Sequence, residues 1–113
     1  MAGYHTLRVY HDAQSQLAII ATITESIRFG DLANQLRRAA ISVVSNIVEG
    51  CGRRNDRELV RYLIVARASN DEIAAQLKMA EVICQVDLHD AIDCNQRTGR
   101  QLSGLIRSLR GPS

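Results

Sequence analysis

Arginines that follow a glycine turn are the side chains of this sequence best placed to do chemistry. Residues 49–57 read EGCGRRNDR, so two glycines allow a tight turn and basic side chains come directly after it. Guanidinium groups bind phosphate oxygens through paired hydrogen bonds and stay charged at physiological pH. The segment therefore predicts a phosphate-binding surface. Its expected members are Arg53, Arg54, Arg57 and Arg61, with Arg37 as a lesser one.

The charge distribution leaves a second interpretation of these arginines open. The net charge of +2 does not by itself indicate a polyanionic partner. Residues 37–67 carry seven arginines and three acids, residues 71–93 carry one lysine and six acids, and residues 97–110 carry four arginines and no acid. Such a chain can pair its basic and acidic helices within one molecule, between subunits or with a ligand. The arginines could thus serve only solubility and internal ion pairs.

A polar stripe runs along an otherwise apolar segment. Its members recur at steps of three, four, four and three, which places them on one face of a helix. One interpretation is a solvated face, as every amphipathic helix has. The other is a hydrogen-bonded network partly buried at a helix or subunit contact, in which the charged members need partners to offset desolvation. The stripe consists of Gln35, Arg38, Ser42, Asn46 and Glu49.

No combination of residues indicates catalysis. No serine, histidine and acid are placed so as to suggest a triad, and no pair is evidently poised for acid-base work. Cys84, His89 and Cys94 are evenly spaced and could be offered as a metal site, but their spacing matches no common zinc pattern. We therefore expect a protein that is not an enzyme and that has no catalytic residue, metal or cofactor.

Four segments with helical periodicity must position these side chains. Apolar residues recur three and four apart in each segment, no sustained alternation typical of a strand occurs, and the one proline is Pro112. Asn70 is the one amide in the heptad seam of the third segment, where a polar residue more often fixes register than binds a ligand. The expected structure is an all-α, antiparallel, up-down-up-down four-helix bundle. We place its helices at residues 9–29, 32–49, 55–85 and 88–110 of a single domain, 1–113.

Local signals set the expected helix ends. Gly30 is expected to stop the first helix and Asp31 to cap the second. Asn55 followed by Glu58 imitates a capping box at the start of the third helix. Gly99 is costly in a helix interior, so it predicts a close helix approach or a local irregularity. The broad apolar arc of the second helix is typical of a helix that is central in its bundle or buried in a subunit contact.

The composition also bears on location. Three cysteines are an odd number without C-x-x-C spacing, which argues against a secreted disulfide framework. The first residues lack the apolar run of a signal peptide, and no stretch reaches the roughly 20 apolar residues of a membrane span. We therefore expect a cytoplasmic protein that has no membrane partner.

Several motifs together resemble the bacterial four helix bundle family, also called the 23S rRNA intervening-sequence proteins. They are QLRRAAIS from Gln35, SNIVEG from Ser45, Gly52-Arg53 and the opening LRVY from Leu7. The third helix resembles the family at Arg61, Tyr62, Leu63, Ala66, Ser69, Glu72, Gln76 and Leu77. The sequence departs from the family where Tyr10 replaces a typical Trp, where Ala68 replaces a Gly, and in lacking a Pro before helix 2.

The resemblance implies a bundle that assembles into a ring-like homo-oligomer, often a pentamer. It also makes RNA an expected partner, because members are often encoded within rRNA genes, although no general activity is established for the family. The leading hypothesis is an oligomeric bundle that binds structured RNA, or a nucleic-acid-associated protein, through its arginines. Few aromatic residues are available for stacking, which disfavours base-specific recognition. The alternative is a protein-only assembly module or scaffold with no affinity for nucleic acid.

Overall fold

The computed structural model describes residues 3–4 and 7–111, and these residues contain four helices. Each helix packs against its neighbours along the chain, and the first also packs against the last, so the bundle closes on itself with up-down-up-down topology. The described residues contain no strand, and the predicted all-α four-helix bundle is confirmed. The helices are α1 (Arg8–Thr24), α2 (Gly30–Cys51), α3 (Asp56–Cys84) and α4 (His89–Arg110).

Aliphatic seams from all four helices meet along the bundle axis. The apolar positions of the predicted α3 seam from Leu59 to Ala80 are buried, as the heptad spacing requires of the helix face that meets its neighbours. Helix packing rather than intrinsic propensity supplies most of the stability of such helices. The largest fully buried aliphatic side chains are Ile20, Leu36, Val43, Ile47, Leu63, Ile73, Leu77, Leu102 and Ile106.

The joint between α1 and α2 differs from the prediction. α1 ends at Thr24 rather than Phe29, yet Ile27 in the joint is buried, so the apolar pattern continues past the end of the helix. Gly30 does not stop α1, because it is the first residue of α2. Asp31 is not a cap, because Phe29 occupies that position, although an acid in the first turn still favours the helix dipole. The expected roles of Gly30 and Asp31 are therefore wrong.

The joint between α2 and α3 agrees with the prediction. The Asn55 side-chain oxygen accepts a hydrogen bond from the Glu58 backbone N–H at 2.9 Å, which is the predicted cap of α3. Gly50 lies in the last turn of α2, where an added Cβ would be 2.8 Å from Leu59 Cδ1 and 3.0 Å from Tyr62 Cβ. The absence of a side chain at this position lets α2 and α3 approach closely beside the turn.

Three buried amides connect α1, α3 and α4 near the middle of the bundle, and we call Gln16, Asn70 and Asn95 the amide layer. Gln16 Nε2 donates to Asn70 Oδ1 at 2.9 Å, and Asn95 Nδ2 donates to Gln16 Oε1 at 3.0 Å. The Asn70 and Asn95 amides also each donate to the other residue's backbone carbonyl. An added Cβ at Gly99 would be 3.1 Å from Asn70 Nδ2, so this glycine permits a close helix approach, which is the first of the two alternatives predicted for it.

Candidate phosphate-binding surface

The fold collects most arginines at one end of the bundle. Because successive helices run in opposite directions, the α2–α3 turn, the start of α1 and the end of α4 lie on the same side of the amide layer. This half, the arginine end, carries ten arginines and four acids, a formal charge of +6. The other half, the acidic end, carries four basic residues and eight acids, a formal charge of −4. Two basic segments that are separate in the sequence thus come together.

The arginines of the arginine end come from α1, α3, α4 and the α2–α3 turn. They are Arg8, Arg53, Arg54, Arg57, Arg61, Arg67, Arg97, Arg100, Arg107 and Arg110.

Arg53 and Arg54 extend from the α2–α3 turn and make exposed ion pairs. Arg53 Nη2 is 2.7 Å from Glu49 Oε2, and the guanidinium lies 4.8 Å from the centre of the Tyr62 ring. Arg54 Nε is 3.6 Å from Glu58 Oε2, with the arginine side chain 91% exposed. Exposed ion pairs contribute only about 0–1 kcal/mol, so these arginines can exchange their carboxylates for phosphates at low cost.

Arg57 and Arg61 have no ion-pair partner among the residues that the structure describes. Together with Arg110 they line a cleft between α3 and α4 with a volume of about 580 Å³, where Asp56 is the one acid of the lining. Sequence reasoning did not connect Arg110 with the other two, although the acid-free tail of residues 97–110 was a signal for it. The cleft therefore combines arginines of α3 and α4, whereas the sequence indicated only the two arginines of α3.

Arg37 lies apart from the other four predicted arginines. It is half-buried at the acidic end, where its Nε donates to Thr24 Oγ1 at 2.9 Å and its Nη1 donates to Asn34 Oδ1 at 3.3 Å. The bond to Thr24 connects α2 to the end of α1, and the bond to Asn34 lies within α2. Arg37 therefore does not share a surface with the turn arginines, which lie on the opposite side of the amide layer, and its phosphate contact stays a prediction.

The polar stripe of α2 faces a groove between α2 and α3. Ser42 Oγ is 2.8 Å from Ser69 Oγ, and Gln76 Nε2 donates to Gln35 Oε1 at 3.4 Å. Asn46 Nδ2 donates to the Ser42 carbonyl at 2.8 Å. The stripe is therefore partly a network at a helix contact.

The two charged members of the stripe are exposed instead. Arg38 has no partner in the described residues, and Glu49 pairs with Arg53 of the neighbouring turn. The stripe thus combines the two interpretations, since its uncharged members bond across the groove while its charged members face solvent.

Three further arginines, which sequence reasoning did not propose as site residues, line a cleft of about 500 Å³ between α1 and α4. Arg8 comes from the first residue of α1, whereas Arg97 and Arg100 come from α4. Arg97 Nε is 3.2 Å from Asp12 Oδ1. Arg8 is far from the other two along the chain, so only the packing of α1 on α4 brings them together.

Cys84, His89 and Cys94 do not form a ligand set. Within the described residues, no group of three His, Cys, Asp or Glu side chains is placed to hold a metal ion. Burial raises the pKa of the Cys94 thiol, whose sulfur lies 3.7 Å from the Asp12 carbonyl. A hydrogen bond to Asp87, and then the charge of Asp90, raise the pKa of His89. The His89 contacts are local to the start of α4 and the joint before it, whereas the Cys94 contact joins α4 to α1.

Fold and charge together define a class, a four-helix bundle whose basic and acidic residues are separated toward opposite ends. A family model described as 23S rRNA-intervening sequence protein matches residues 5–106, and the chain belongs to this family. The family that the motifs indicated is therefore confirmed. The comparison with curated proteins finds no match. Of the helices that the structure describes, none has the length and apolar character needed to cross a membrane.

Proposed function

We propose that this protein is a non-enzymatic, self-associating bundle of the cytoplasm that binds structured RNA through phosphate contacts at its arginine end. The observation that carries the proposal is the excess of ten arginines over four acids in one half of the molecule. The family description refers to 23S rRNA, so fragments of that RNA are the first ligands to test.

The chemistry of the arginine end fits a phosphate backbone better than bases. Arg57 and Arg61 lack internal ion-pair partners in the described part of the chain, and the pairs of Arg53 and Arg54 are exposed. Double-stranded RNA is recognised mainly by shape and by contacts with phosphates and 2′-hydroxyls. The acidic end repels the same polyanion and thereby orients the protein on it. The expected binding is strong at low salt and has little base specificity.

Self-association is supported by apolar surface at the acidic end. Five large apolar side chains are between 45% and 77% exposed there, and a subunit contact that covers them removes their apolar surface from water. In a ring whose subunits point the same way, the arginine ends line one rim and bind a long RNA with increased avidity. The ring, with five subunits as the family resemblance implies, is part of the proposal. The exposed side chains are Phe29, Met79, Val82, Ile83 and Val86.

A second candidate function, a protein-only assembly module, is favoured by one feature of the α2–α3 groove. Gln76 Oε1 is buried and has no hydrogen-bond partner among the described residues. A buried acceptor without a partner costs about 1–3 kcal/mol. Because Gln76 lines the α2–α3 groove, a rotation of its side chain toward the groove would let a donor from another protein surface satisfy this oxygen. In this case the arginines of one subunit would pair with acids of another rather than with RNA.

The deciding experiment measures how the affinity for a 23S rRNA fragment depends on salt. The slope of log K against log salt is negative, and its magnitude decreases by about 0.9 for each phosphate contact that is lost. We expect the variant Arg57→Gln/Arg61→Gln to reduce the magnitude of this slope by about 2. The matched control Arg28→Gln/Lys78→Gln removes the same charge from the acidic end and should leave the slope unchanged.

Sedimentation of the same samples separates the two candidate functions. An oligomer that binds the fragment with the expected slopes supports the RNA-binding bundle. A stable oligomer without RNA affinity at low salt contradicts RNA binding and favours the assembly module. Equal slopes for both double variants would remove Arg57 and Arg61 from the binding surface, and a monomer at all concentrations would contradict self-association.

A further inference from the structure

We infer that the cleft between α1 and α4 is a second phosphate-binding site, formed by Arg8, Arg97 and Arg100. The phosphate can belong to an RNA backbone, in which case the inference rests on the proposed function, or to a free anion. This cleft is distinct from the α2–α3 turn and from the α3–α4 cleft, and neither the turn motif nor the family motifs include its arginines.

The cleft has the space and the donors for a phosphate group. Its volume is about 500 Å³, and its lining includes Gln101 and arginines from two helices. Gly104 also lines it, and an added Cβ there would meet no atom closer than 3.9 Å, so the space beside α4 is open. Guanidinium donors from separate helices can contact different oxygens of one tetrahedral anion.

The electrostatics of the cleft favour an anion. Within the described ranges 3–4 and 7–111, Asp12 is the one acid paired with these arginines, and its carboxylate holds Arg97 Nε at 3.2 Å. A formal charge of +2 therefore remains after this pair is formed. The first turn of α1 contains no acid, and Leu7 supplies no side-chain cap, so nothing from these positions neutralises the positive end of the helix dipole. A bound phosphate would relieve the repulsion between Arg8 and Arg100.

The ion pair with Asp12 gives Arg97 a fixed orientation. The Asp12 side chain is only 15% exposed, whereas that of Arg97 is 49% exposed, so the pair is anchored on the α1 side. The Arg97 bond to Asp12 uses Nε rather than a terminal nitrogen of the guanidinium group. Arg97 is therefore expected to be the preorganised donor, with Arg8 and Arg100 as mobile partners that close on the anion.

The position of the cleft suits an extended ligand. The α3–α4 cleft with Arg57, Arg61 and Arg110 and the α1–α4 cleft both use residues of α4. Both lie at the arginine end, so an RNA backbone that crosses α4 would meet both. Phosphate contacts at two clefts fix the direction of the backbone on the bundle, which contacts at one cleft would not do.

The test uses the variant Arg8→Gln/Arg100→Gln of the full chain. Arg97 is kept, because its removal would leave the largely buried Asp12 carboxylate without its partner. Both substituted side chains are exposed, so we expect the thermal unfolding midpoint to stay close to that of the original protein. Arg28→Gln/Lys78→Gln is again the control with equal charge change.

Two measurements distinguish the sources of the phosphate. The first measures the affinity for a 16-base-pair RNA duplex at several salt concentrations. The magnitude of the slope of log K against log salt should be smaller by about 2 in the cleft variant and unchanged in the control. In the second, inorganic pyrophosphate should cause saturable shifts of the Arg8, Arg97 and Arg100 amide signals in NMR spectra, and the cleft variant should abolish saturation.

The outcomes separate this inference from the proposed function. If the original protein does not bind RNA but pyrophosphate saturates the cleft, the proposed function fails and the cleft is a site for a free anion. If RNA binds but the cleft variant equals the original protein in both measurements, the inference is overturned and the proposed function stands. An effect on the RNA slope alone assigns the cleft to the RNA backbone.

Discussion

The amide layer and the arginine end both consist of polar side chains, but their hydrogen-bonding capacity is used in opposite ways. In the amide layer, Gln16, Asn70 and Asn95 are at most 3% exposed and bond to one another across three helices. At the arginine end, Arg57 and Arg61 are exposed and have no ion-pair partner in the described residues. A polar group whose bonds are all internal stabilises the fold, whereas one with unused donors is available to a ligand.

The comparison predicts that the largest loss of stability comes from the amide layer. Asn70→Leu removes the acceptor of Gln16 Nε2 and the side-chain donor to the Asn95 backbone carbonyl in a site without solvent access, so we expect the free energy of unfolding to fall by about 2–4 kcal/mol. Urea unfolding followed by circular dichroism measures this change. The folded variant should keep the salt dependence of RNA binding.

Gln96→Leu is the matched control for that substitution. Gln96 is an exposed amide next to Asn95, and its replacement should change the free energy of unfolding by less than about 0.5 kcal/mol. Equal losses in Asn70→Leu and Gln96→Leu would show that the amide layer has no special role, and the comparison would fail.

An intermediate effect is expected at Gly50, where the arginine end depends on internal packing. Gly50→Ala places a Cβ 2.8 Å from Leu59 Cδ1 and 3.0 Å from Tyr62 Cβ. Overpacking of this kind typically costs about 1–3 kcal/mol. In Gly52→Ala the nearest atom is 3.5 Å away, which is ordinary contact, so this variant should be nearly as stable as the original protein. A stable Gly50→Ala protein would show that α2 and α3 can separate freely near the turn.

The smallest change in stability is expected at the arginines themselves. Arg57→Gln/Arg61→Gln should alter the free energy of unfolding by less than about 0.5 kcal/mol, because neither side chain has a described ion pair to lose. The same variant is the one expected to weaken RNA binding. A loss comparable with that of Asn70→Leu would mean that these arginines serve the fold, contrary to the proposed division.

The local features of the sequence predicted much of the fold. The heptad seam of α3 and the Asn55 cap are confirmed, because periodicity and capping depend on residues within one or two turns of each other. The end of α1 was predicted too late, because the buried Ile27 extends the apolar pattern beyond the helix. A regular spacing of buried apolar residues therefore does not by itself show where a helix ends.

The sequence by itself determined the four amphipathic segments, the family and the arginine turn, since each depends on residues that are neighbours along the chain. Only the tertiary structure decided which distant residues meet. It joined Gln16 to Asn70 and Asn95, separated Arg37 from the turn arginines, and brought Arg8 to the cleft with Arg97 and Arg100. The physical reason is that helix packing fixes the axial position of each helix and its rotation about its own axis. The residue spacing within one helix does not specify its contacts with another helix.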